Sequence, residues 1–149
     1  MCGYLGHISK NSINDIDYNK TNEQLICRGP DEKKEIIKNK NYERDLLSYC
    51  LIFNRLAIID LSDLASQPMS SKEFGTELVF NGEIFNHAEL REQLQKKGIK
   101  FFSNHSDTEV VLNGLSYYGK KFLSKMIGQF SLVFIAVSYT HLTLPTIGC

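Results

Sequence analysis

Short apolar runs separated by polar segments characterise the first half of the chain. The run Tyr4–Ile8 predicts a buried strand that begins almost at the terminus. The polar stretch Ser9–Asn41 is interrupted by Arg28–Asp31, with the sequence RGPD. Because the residue before a proline is biased away from helix, we expect mostly loop there. Leu46–Leu61 is rich in Leu, Ile, Tyr and Phe, and predicts one long strand or two strands joined at a bend.

Further strands are predicted in the second half. Glu77–Phe85 holds two apolar runs around Asn81 and Gly82, and Asn-Gly between apolar runs is the strongest short-range signal for a two-residue hairpin. Ile99–Phe102 predicts a short strand, and the apolar run Gly128–Val137 predicts another. The hairpin chemistry favours antiparallel pairing.

Two helices are predicted between these strands. Asn86 is placed to cap the first helix, with Glu89 three residues later as in a capping box and Gly98 as the stop. The second helix begins with the same Ser-x-x-Glu pattern at Ser106 and closes at Gly119. Because helices and antiparallel strands are mixed, the pattern predicts an α+β protein. The side chains expected to face the core are Leu90, Leu94, Val111, Leu115 and Tyr118.

Composition narrows the class of protein. The chain has 149 residues, 17 Lys and Arg against 17 Asp and Glu, and 42% hydrophobic residues, which is typical of one globular domain. A balanced charge gives no electrostatic footprint for nucleic acid or an anionic membrane, so neither is expected as a partner. The four cysteines form no C-x-x-C pair and no signal peptide precedes them, so we expect a reducing, cytoplasmic compartment.

The C-terminal segment differs from the rest of the chain. Residues 126–149 contain no charged side chain, whereas the preceding residues carry all of them. Residues 138–146 show no clear period. Two interpretations stay open: a native edge strand with a loose tail, or a translated junction sequence that is not native. We therefore predict a domain over residues 2–135 and an atypical tail over residues 136–149.

Cys2 follows the initiator Met directly and is a candidate nucleophile. A small second residue permits removal of Met1, which would leave a cysteine bearing both a thiol and a free α-amine. An α-amine titrates near neutral pH, so it can accept and return a proton while the thiol attacks. A small buried residue at a strand start is the alternative explanation.

Five motifs occur in one order along the chain: Met-Cys-Gly at the start, RGPD, NRLAIIDLS with QPM, FNGEIFN, and SDTE. Together they resemble the class II glutamine amidotransferases, whose glutaminase domains are N-terminal-nucleophile hydrolases, and specifically the N-terminal part of the asparagine synthetase family. The resemblance covers roughly residues 2 to 135. It implies a four-layer αββα sandwich, here expected to be incomplete at its C-terminus.

The resemblance implies a role for several residues in the hydrolysis of glutamine to glutamate and ammonia. Cys2 matches the nucleophile, while the Asn81 amide and the Gly82 backbone N–H match the oxyanion hole. Taken alone, the Asn-Gly pair would be explained equally well by a hairpin turn with no catalytic role. An oxyanion hole would be formed by these two groups as Cys2 attacks the amide.

Other positions match the groups that bind the charged ends of glutamine. Arg55 matches the carboxylate binder, and a planar guanidinium suits that role because it can bind both oxygens. Asp107 matches the partner of the substrate ammonium, although simple helix capping would also explain an Asp there. Glu83 and the backbone near Ile58 complete the predicted substrate site. Departures from the family pattern lie at Cys27 and Phe53, where the family usually has His or another polar residue.

The sequence predicts no cofactor in this chain. The four histidines lack paired ligand spacing, so no metal site is predicted. The Ser-Gly-Gly-x-Asp-Ser nucleotide loop is absent, so ATP and Mg²⁺ are expected only in a synthetase domain that receives the ammonia, and which is missing here. The resemblance also allows a homodimer of the full-length parent.

Three alternatives remain. The first two are the glutaminase domain of a different amidotransferase, for example in a cell-surface polysaccharide pathway, and an inactive truncated fragment. An N-terminal-nucleophile acylase acting on other amides is disfavoured, because the pair Arg55 and Asp107 suits a free amino acid.

Overall fold

The structure is a computed structural model that describes residues 2–42, 45–56 and 66–136. The chain divides into two compact units, Met1–Asp60 and Leu61–Cys149. Within these described ranges, each unit has a three-stranded sheet whose strands pair in antiparallel fashion. Helices accompany both sheets, so the predicted α+β class is confirmed.

The first unit has its longest apolar strand in the middle of the sheet. Its elements are β1 (Gly3–Ser9), α1 (Asn19–Ile26), β2 (Glu32–Tyr42) and β3 (Asp45–Arg55), and the sheet order is β1-β3-β2. Every side chain from Tyr49 to Phe53 is buried, because β3 has a neighbour on each edge and both of its faces are covered. The predicted strands Tyr4–Ile8 and Leu46–Leu61 are confirmed as far as Arg55, and residues 57–65 lie outside the described residues.

The prediction of loop over Ser9–Asn41 is wrong, since α1 and β2 both fall inside it. Strand β2 lies at the edge of the sheet, and most of its side chains from Glu32 to Asn39 are exposed or half-buried. An edge strand is held by its backbone ladder, and it leaves charged side chains in solvent. The polar composition that suggested a loop is therefore that of an exposed edge strand.

The second unit has an apolar core between its helices and its sheet. Its sheet has the order β4-β5-β6, formed by β4 (Met69–Ser71), β5 (Thr76–Ile84) and β6 (Gly128–Ala136). The helices are α2 (His87–Gln95), α3 (Asp107–Tyr118) and the 3₁₀ helix Gly119–Lys125. The helices and the sheet share one core, and its buried side chains include Leu78, Phe80, Leu90, Leu94, Val110, Val111, Leu115, Phe122 and Phe134. The core positions predicted for the two helices are confirmed, with Tyr118 partly buried.

The predicted hairpin at Asn81-Gly82 is wrong. Both residues lie within β5, which runs unbroken from Thr76 to Ile84 and pairs along its whole length with β6. Gly82 has φ +150°, and a Cβ added there would lie 2.1 Å from the Gln129 carbonyl oxygen. The glycine therefore permits a close approach of two strands rather than a turn.

Two local predictions near the helices are also wrong. The Asn86 side chain does not cap α2; it donates to the Lys125 carbonyl and accepts from the Ile127 N–H, at 2.9 and 3.0 Å. The segment Ile99–Phe102 is irregular rather than a strand. By contrast, the predicted cap of α3 is confirmed, because the Ser106 hydroxyl accepts from the Glu109 N–H.

A buried polar cluster fixes the chain between α2 and α3. The Arg91 guanidinium donates to the carbonyl oxygens of Ser103 and Ser106 at 2.5 and 2.8 Å. The Glu109 carboxylate accepts from the backbone N–H groups of Phe102 and Ser103 and from the Ser103 hydroxyl. Burial lowers the pKa of Arg91, while the nearby Glu109 opposes that change. Side-chain groups thus satisfy the backbone of a segment that forms no strand or helix.

Candidate functional site

Cys2 immediately precedes β1 and lies against the end of β3. Its Sγ accepts a hydrogen bond from the Leu56 N–H at 3.3 Å, and the side chain is half-buried. The register that pairs Gly3 with Asn54 brings the first residue of β1 to the last residues of β3. The sulfur of the predicted nucleophile is therefore held next to the residue that follows Arg55.

Arg55 is the last residue of β3 and is 8% exposed. Its guanidinium forms an ion pair with the Glu32 carboxylate, with 3.2 Å between Nη1 and Oε2. Glu32 is opposite Arg55 in the β2–β3 register, so the ladder itself places the carboxylate beside the guanidinium. A buried cation at a strand end with an anionic neighbour on the next strand is oriented as well as neutralised.

Two polar contacts hold the backbone around Arg55. The Asn54 side chain donates to the Asn22 side chain of α1 at 2.7 Å, and both are buried. A Cβ at Gly29 would lie 2.1 Å from the Asn54 carbonyl oxygen, so the RGPD segment can pass over this strand end because residue 29 is glycine. The Asp31 N–H donates to the Arg55 carbonyl oxygen at 3.1 Å.

In the second unit, Asn81, Gly82 and Glu83 lie on the part of β5 that extends beyond β4. The β4 ladder ends where Met69 pairs with Leu78. Since N–H groups alternate between the two edges of a strand, the N–H groups of Phe80, Gly82 and Ile84 point to the same edge. That edge is turned away from β6.

Side chains occupy the donors on either side of Gly82. The Phe80 N–H donates to the Gln67 Oε1 at 2.6 Å, and the Ile84 N–H donates to the Asp107 Oδ2 at 3.2 Å. The Gly82 N–H lies between them, in an exposed glycine with no side chain to cover it. This arrangement suits a backbone donor that is presented to a substrate oxygen.

Asp107, the first residue of α3, is half-buried and connects this helix to β5 through the Ile84 N–H. Its other carboxylate oxygen accepts from the Thr108 hydroxyl at 3.4 Å. The structure thus brings Asp107 to the same strand as Asn81, Gly82 and Glu83. Glu83 is exposed on that strand.

Ile58 lies outside the described residues. Sequence reasoning missed Glu32, the Leu56 N–H and the Gln67 side chain. Glu32 could have been found only by predicting β2, because its position follows from the β2–β3 register. Gln67 belongs to the QPM motif, whose sequence alone indicates no role for this side chain.

No group of three or more His, Cys, Asp or Glu side chains that could hold a metal ion occurs within residues 2–42, 45–56 and 66–136. In the same described residues, no helix has the length and apolar character needed to cross a membrane.

Comparison with known proteins gives a consistent result. A family model described as a glutamine amidotransferase domain matches residues 1–145. Among curated proteins, asparagine synthetase [glutamine-hydrolyzing] 1 of Bacillus subtilis is 32% identical over 138 residues, which is 89% of this chain and 20% of that protein. A probable asparagine synthetase of Schizosaccharomyces pombe is 34% identical over 140 residues, 89% of this chain and 22% of that protein.

Amidase chyE of Penicillium rubens is 32% identical over 146 residues, again 89% of this chain and 20% of that protein. The chain therefore spans about a fifth of the length of the curated relatives it matches. Among solved structures, the glutamine phosphoribosylpyrophosphate amidotransferase from B. subtilis, complexed with ADP and GMP, matches with a TM-score of 0.54 and 19% identity. That match covers 76% of this chain and 31% of the other, and it shows a shared fold.

Proposed function

Because the chain belongs to the glutamine amidotransferase domain family, we propose that it hydrolyses glutamine and supplies ammonia to a synthetase domain of a longer, asparagine synthetase-like protein. The observation that carries this proposal is the placement of Cys2, whose sulfur lies against the residue that follows Arg55. A thiol and a guanidinium lie at one strand end, which supports their proposed roles as the nucleophile and the group that binds the substrate carboxylate.

The reaction would proceed through a thioester. The α-amine of Cys2, freed by removal of Met1, takes the thiol proton as the sulfur attacks the side-chain amide carbon of glutamine. The new S–C bond places a negative charge on the amide oxygen. When that intermediate collapses, the C–N bond breaks and the Cys2 ammonium gives its proton to the leaving nitrogen, which departs as ammonia. Water then cleaves the thioester to give glutamate and to restore the thiol.

The donors for the developing oxyanion would be the Asn81 amide and the Gly82 N–H. Their support is the open edge of β5, where the two flanking N–H groups are already bonded to Gln67 and Asp107. A donor of this kind that is fixed before the reaction lowers the barrier by about 3–4 kcal/mol in comparable enzymes.

The charged ends of glutamine would be bound by Arg55 and Asp107, with Glu83 and the backbone near Ile58 completing the substrate site. The ion pair with Glu32 orients the Arg55 guanidinium, which has five N–H donors for a carboxylate acceptor. Asp107 is the first residue of α3, and its carboxylate would bind the substrate ammonium from the N-terminus of that helix.

The ammonia acceptor is proposed to be aspartate, activated by ATP and Mg²⁺ in the synthetase domain. The two relatives named asparagine synthetases favour this acceptor over that of a polysaccharide pathway. For the chain itself we propose that no cofactor is needed, since attack, proton transfer and hydrolysis use its own groups and water.

The test is a glutaminase assay that measures glutamate and ammonia from the 149-residue chain, with mass spectrometry of the N-terminus. We expect release of Met1 and hydrolysis of glutamine that Cys2→Ala abolishes. The matched control is Cys27→Ala, which removes an exposed thiol of the same unit and should keep the rate. An N-terminal extension of two residues that resists removal should also abolish activity; full activity of the extended protein would show the N-terminal mechanism to be wrong.

A further inference from the structure

Gln67 is a buried polar residue that takes part in none of the reaction steps proposed above. Its side chain is 7% exposed, and its Oε1 accepts from the Phe80 N–H at 2.6 Å. Gln67 precedes Pro68 and the short strand β4, whose backbone ladder with β5 begins at Met69. The backbone ladder between β4 and β5 ends at Leu78. The side-chain carbonyl of Gln67 therefore takes the place of a backbone acceptor and binds the Phe80 N–H, which is the next donor on this edge of β5.

The bond lies immediately next to the two proposed oxyanion donors. The Phe80 peptide leads directly into Asn81, and the Phe80 N–H points to the same edge of β5 as the Gly82 N–H two residues later. On the far side of Gly82, the Ile84 N–H is held by Asp107. Fixing the Phe80 N–H thus fixes one end of the strand segment that carries both donors.

On the basis of the proposed function, we infer that Gln67 is a positioning residue for the oxyanion donors. It holds the Phe80 peptide in the plane of the strand, so that the Asn81 side chain and the Gly82 N–H keep a constant orientation. It also occupies the Phe80 N–H, which is the neighbouring donor on that edge. A substrate oxygen consequently meets the Gly82 N–H and does not bind two residues earlier along β5.

A merely structural hydrogen bond would have different consequences. Its loss would lower the stability of the unit and leave the properties of the folded enzyme unchanged. Loss of a positioning contact lowers kcat with little change in KM, because the oxyanion exists in the transition state and not in the bound substrate.

The test compares three variants of the 149-residue chain. Gln67→Met keeps the size of the side chain and removes the acceptor; we expect kcat for glutamine to fall about 10- to 100-fold, with KM changed less than about threefold. Gln67→Glu retains an acceptor oxygen and should recover most of kcat. Thr76→Val is the matched control, because it removes the half-buried hydrogen bond between the Thr76 and Ser116 hydroxyls at the other end of β5 and should leave kcat unchanged.

A second readout does not depend on activity. Amide hydrogen exchange measured by NMR should be faster at Phe80 in Gln67→Met, and the Gly82 amide resonance should shift, while Thr76→Val leaves both unchanged. If Gln67→Met does not fold, Gln67→Asn replaces it with the same expectations, since its amide is one methylene too short to reach Phe80.

The outcomes separate this inference from the proposed function. If the unmodified chain hydrolyses glutamine, Cys2→Ala does not, and Gln67→Met keeps the wild-type kcat despite faster exchange at Phe80, Gln67 has no positioning role. A fall in kcat that Gln67→Glu does not relieve at all also overturns the inference. If the unmodified chain does not hydrolyse glutamine, the proposed function fails, and unchanged Phe80 exchange and Gly82 shift in Gln67→Met would overturn the positioning role independently.

Discussion

The two units support their predicted site residues through different contacts. In the first unit, a described core cluster consists of Ile13, Cys50 and Ile52 with Leu5 and Tyr18 packed against it. In the second, two α-helices and a 3₁₀ helix pack an apolar cluster against β5 and β6. Polar contacts at the end of β3 hold Cys2 and Arg55 in the first unit, whereas the second unit carries Asn81 and Gly82 on a strand whose apolar side chains are buried in that cluster.

For the proposed function, this difference would divide the tasks between the two units. A strand with a well-packed core keeps backbone donors in fixed positions, which is what stabilisation of a developing charge requires. A strand end held by an ion pair and a few hydrogen bonds suits a nucleophile and a cation that must engage a substrate. The predictions below test each side of this comparison in turn.

The largest expected effect concerns the donors of the second unit. Asn81→Ala should lower kcat about 100- to 1000-fold while raising KM far less, because the amide contacts charge that develops in the transition state. Steady-state kinetics with glutamine measure both quantities. Asn113→Ala is the control, because it also removes a side-chain amide, but from a buried position in α3. If KM instead rises by as large a factor as the one expected for the fall in kcat, while kcat is unchanged, Asn81 binds the substrate in its ground state rather than stabilising the transition state.

A smaller effect is expected for the residues proposed to bind the charged ends of glutamine. Removing one partner of a buried, hydrogen-bonded charge pair costs roughly 2–5 kcal/mol, so Arg55→Ala or Asp107→Ala should lower kcat/KM at least about thirtyfold. Lys33→Ala, an exposed cation on β2, is the control for Arg55. Unchanged kinetics in the Arg55 variant would show that Arg55 does not bind the substrate. The proposed division of tasks between the two units would then be wrong.

The packing of the second unit can be tested through Arg91. Arg91→Met keeps the apolar stem but leaves the carbonyl oxygens of Ser103 and Ser106 without this donor, so the free energy of unfolding should fall by about 2–4 kcal/mol. Urea denaturation followed by circular dichroism measures the change. Lys96→Met, at the exposed end of α2, should change it by less than about 0.5 kcal/mol. Equal values for the two variants would contradict the assigned role of the cluster.

The smallest effect concerns the core of the first unit. Burial raises the pKa of the Cys50 thiol from 9.0 to about 11. The negative charge of Glu35 adds to this rise, and the positive charge of Lys33 opposes it. The folded state therefore keeps the thiol proton while the unfolded state loses it, and stability falls as pH rises from about 9 to about 11. Cys50→Ala should make the free energy of unfolding less dependent on pH in this window. Cys27→Ala, at an exposed thiol, should leave the dependence unchanged.

Much of the fold follows from patterns that residues impose locally. The cap at Ser106, the buried positions of α3 and the apolar strand β6 are set by short-range chemistry, and the structure confirms them. The errors arise where a distant partner decides. Asn81-Gly82 forms no turn because β6 pairs across it, and Asn86 bonds to the chain at Lys125 and Ile127 rather than to its own helix.

The site follows the same rule. The motif order identified Cys2, Arg55, Asn81, Gly82 and Asp107 as a set, but their immediate partners come from register and packing. Glu32 reaches Arg55 through an edge strand whose polar sequence resembles a loop. Gln67 reaches Phe80 because β4 is too short to do so with its backbone.

The position of Asn81 and Gly82 within β5 also bears on how the protein ages chemically. In flexible chains an Asn-Gly pair deamidates readily, because the glycine nitrogen can attack the asparagine side chain and close a five-membered ring. Within β5 the backbone is held against β6, with flanking N–H groups bonded to Gln67 and Asp107, so that ring cannot close without local opening of the strand. The slow appearance of aspartate and isoaspartate at position 81, measured by peptide mapping of stored protein, would then serve as a clock for the opening of this strand.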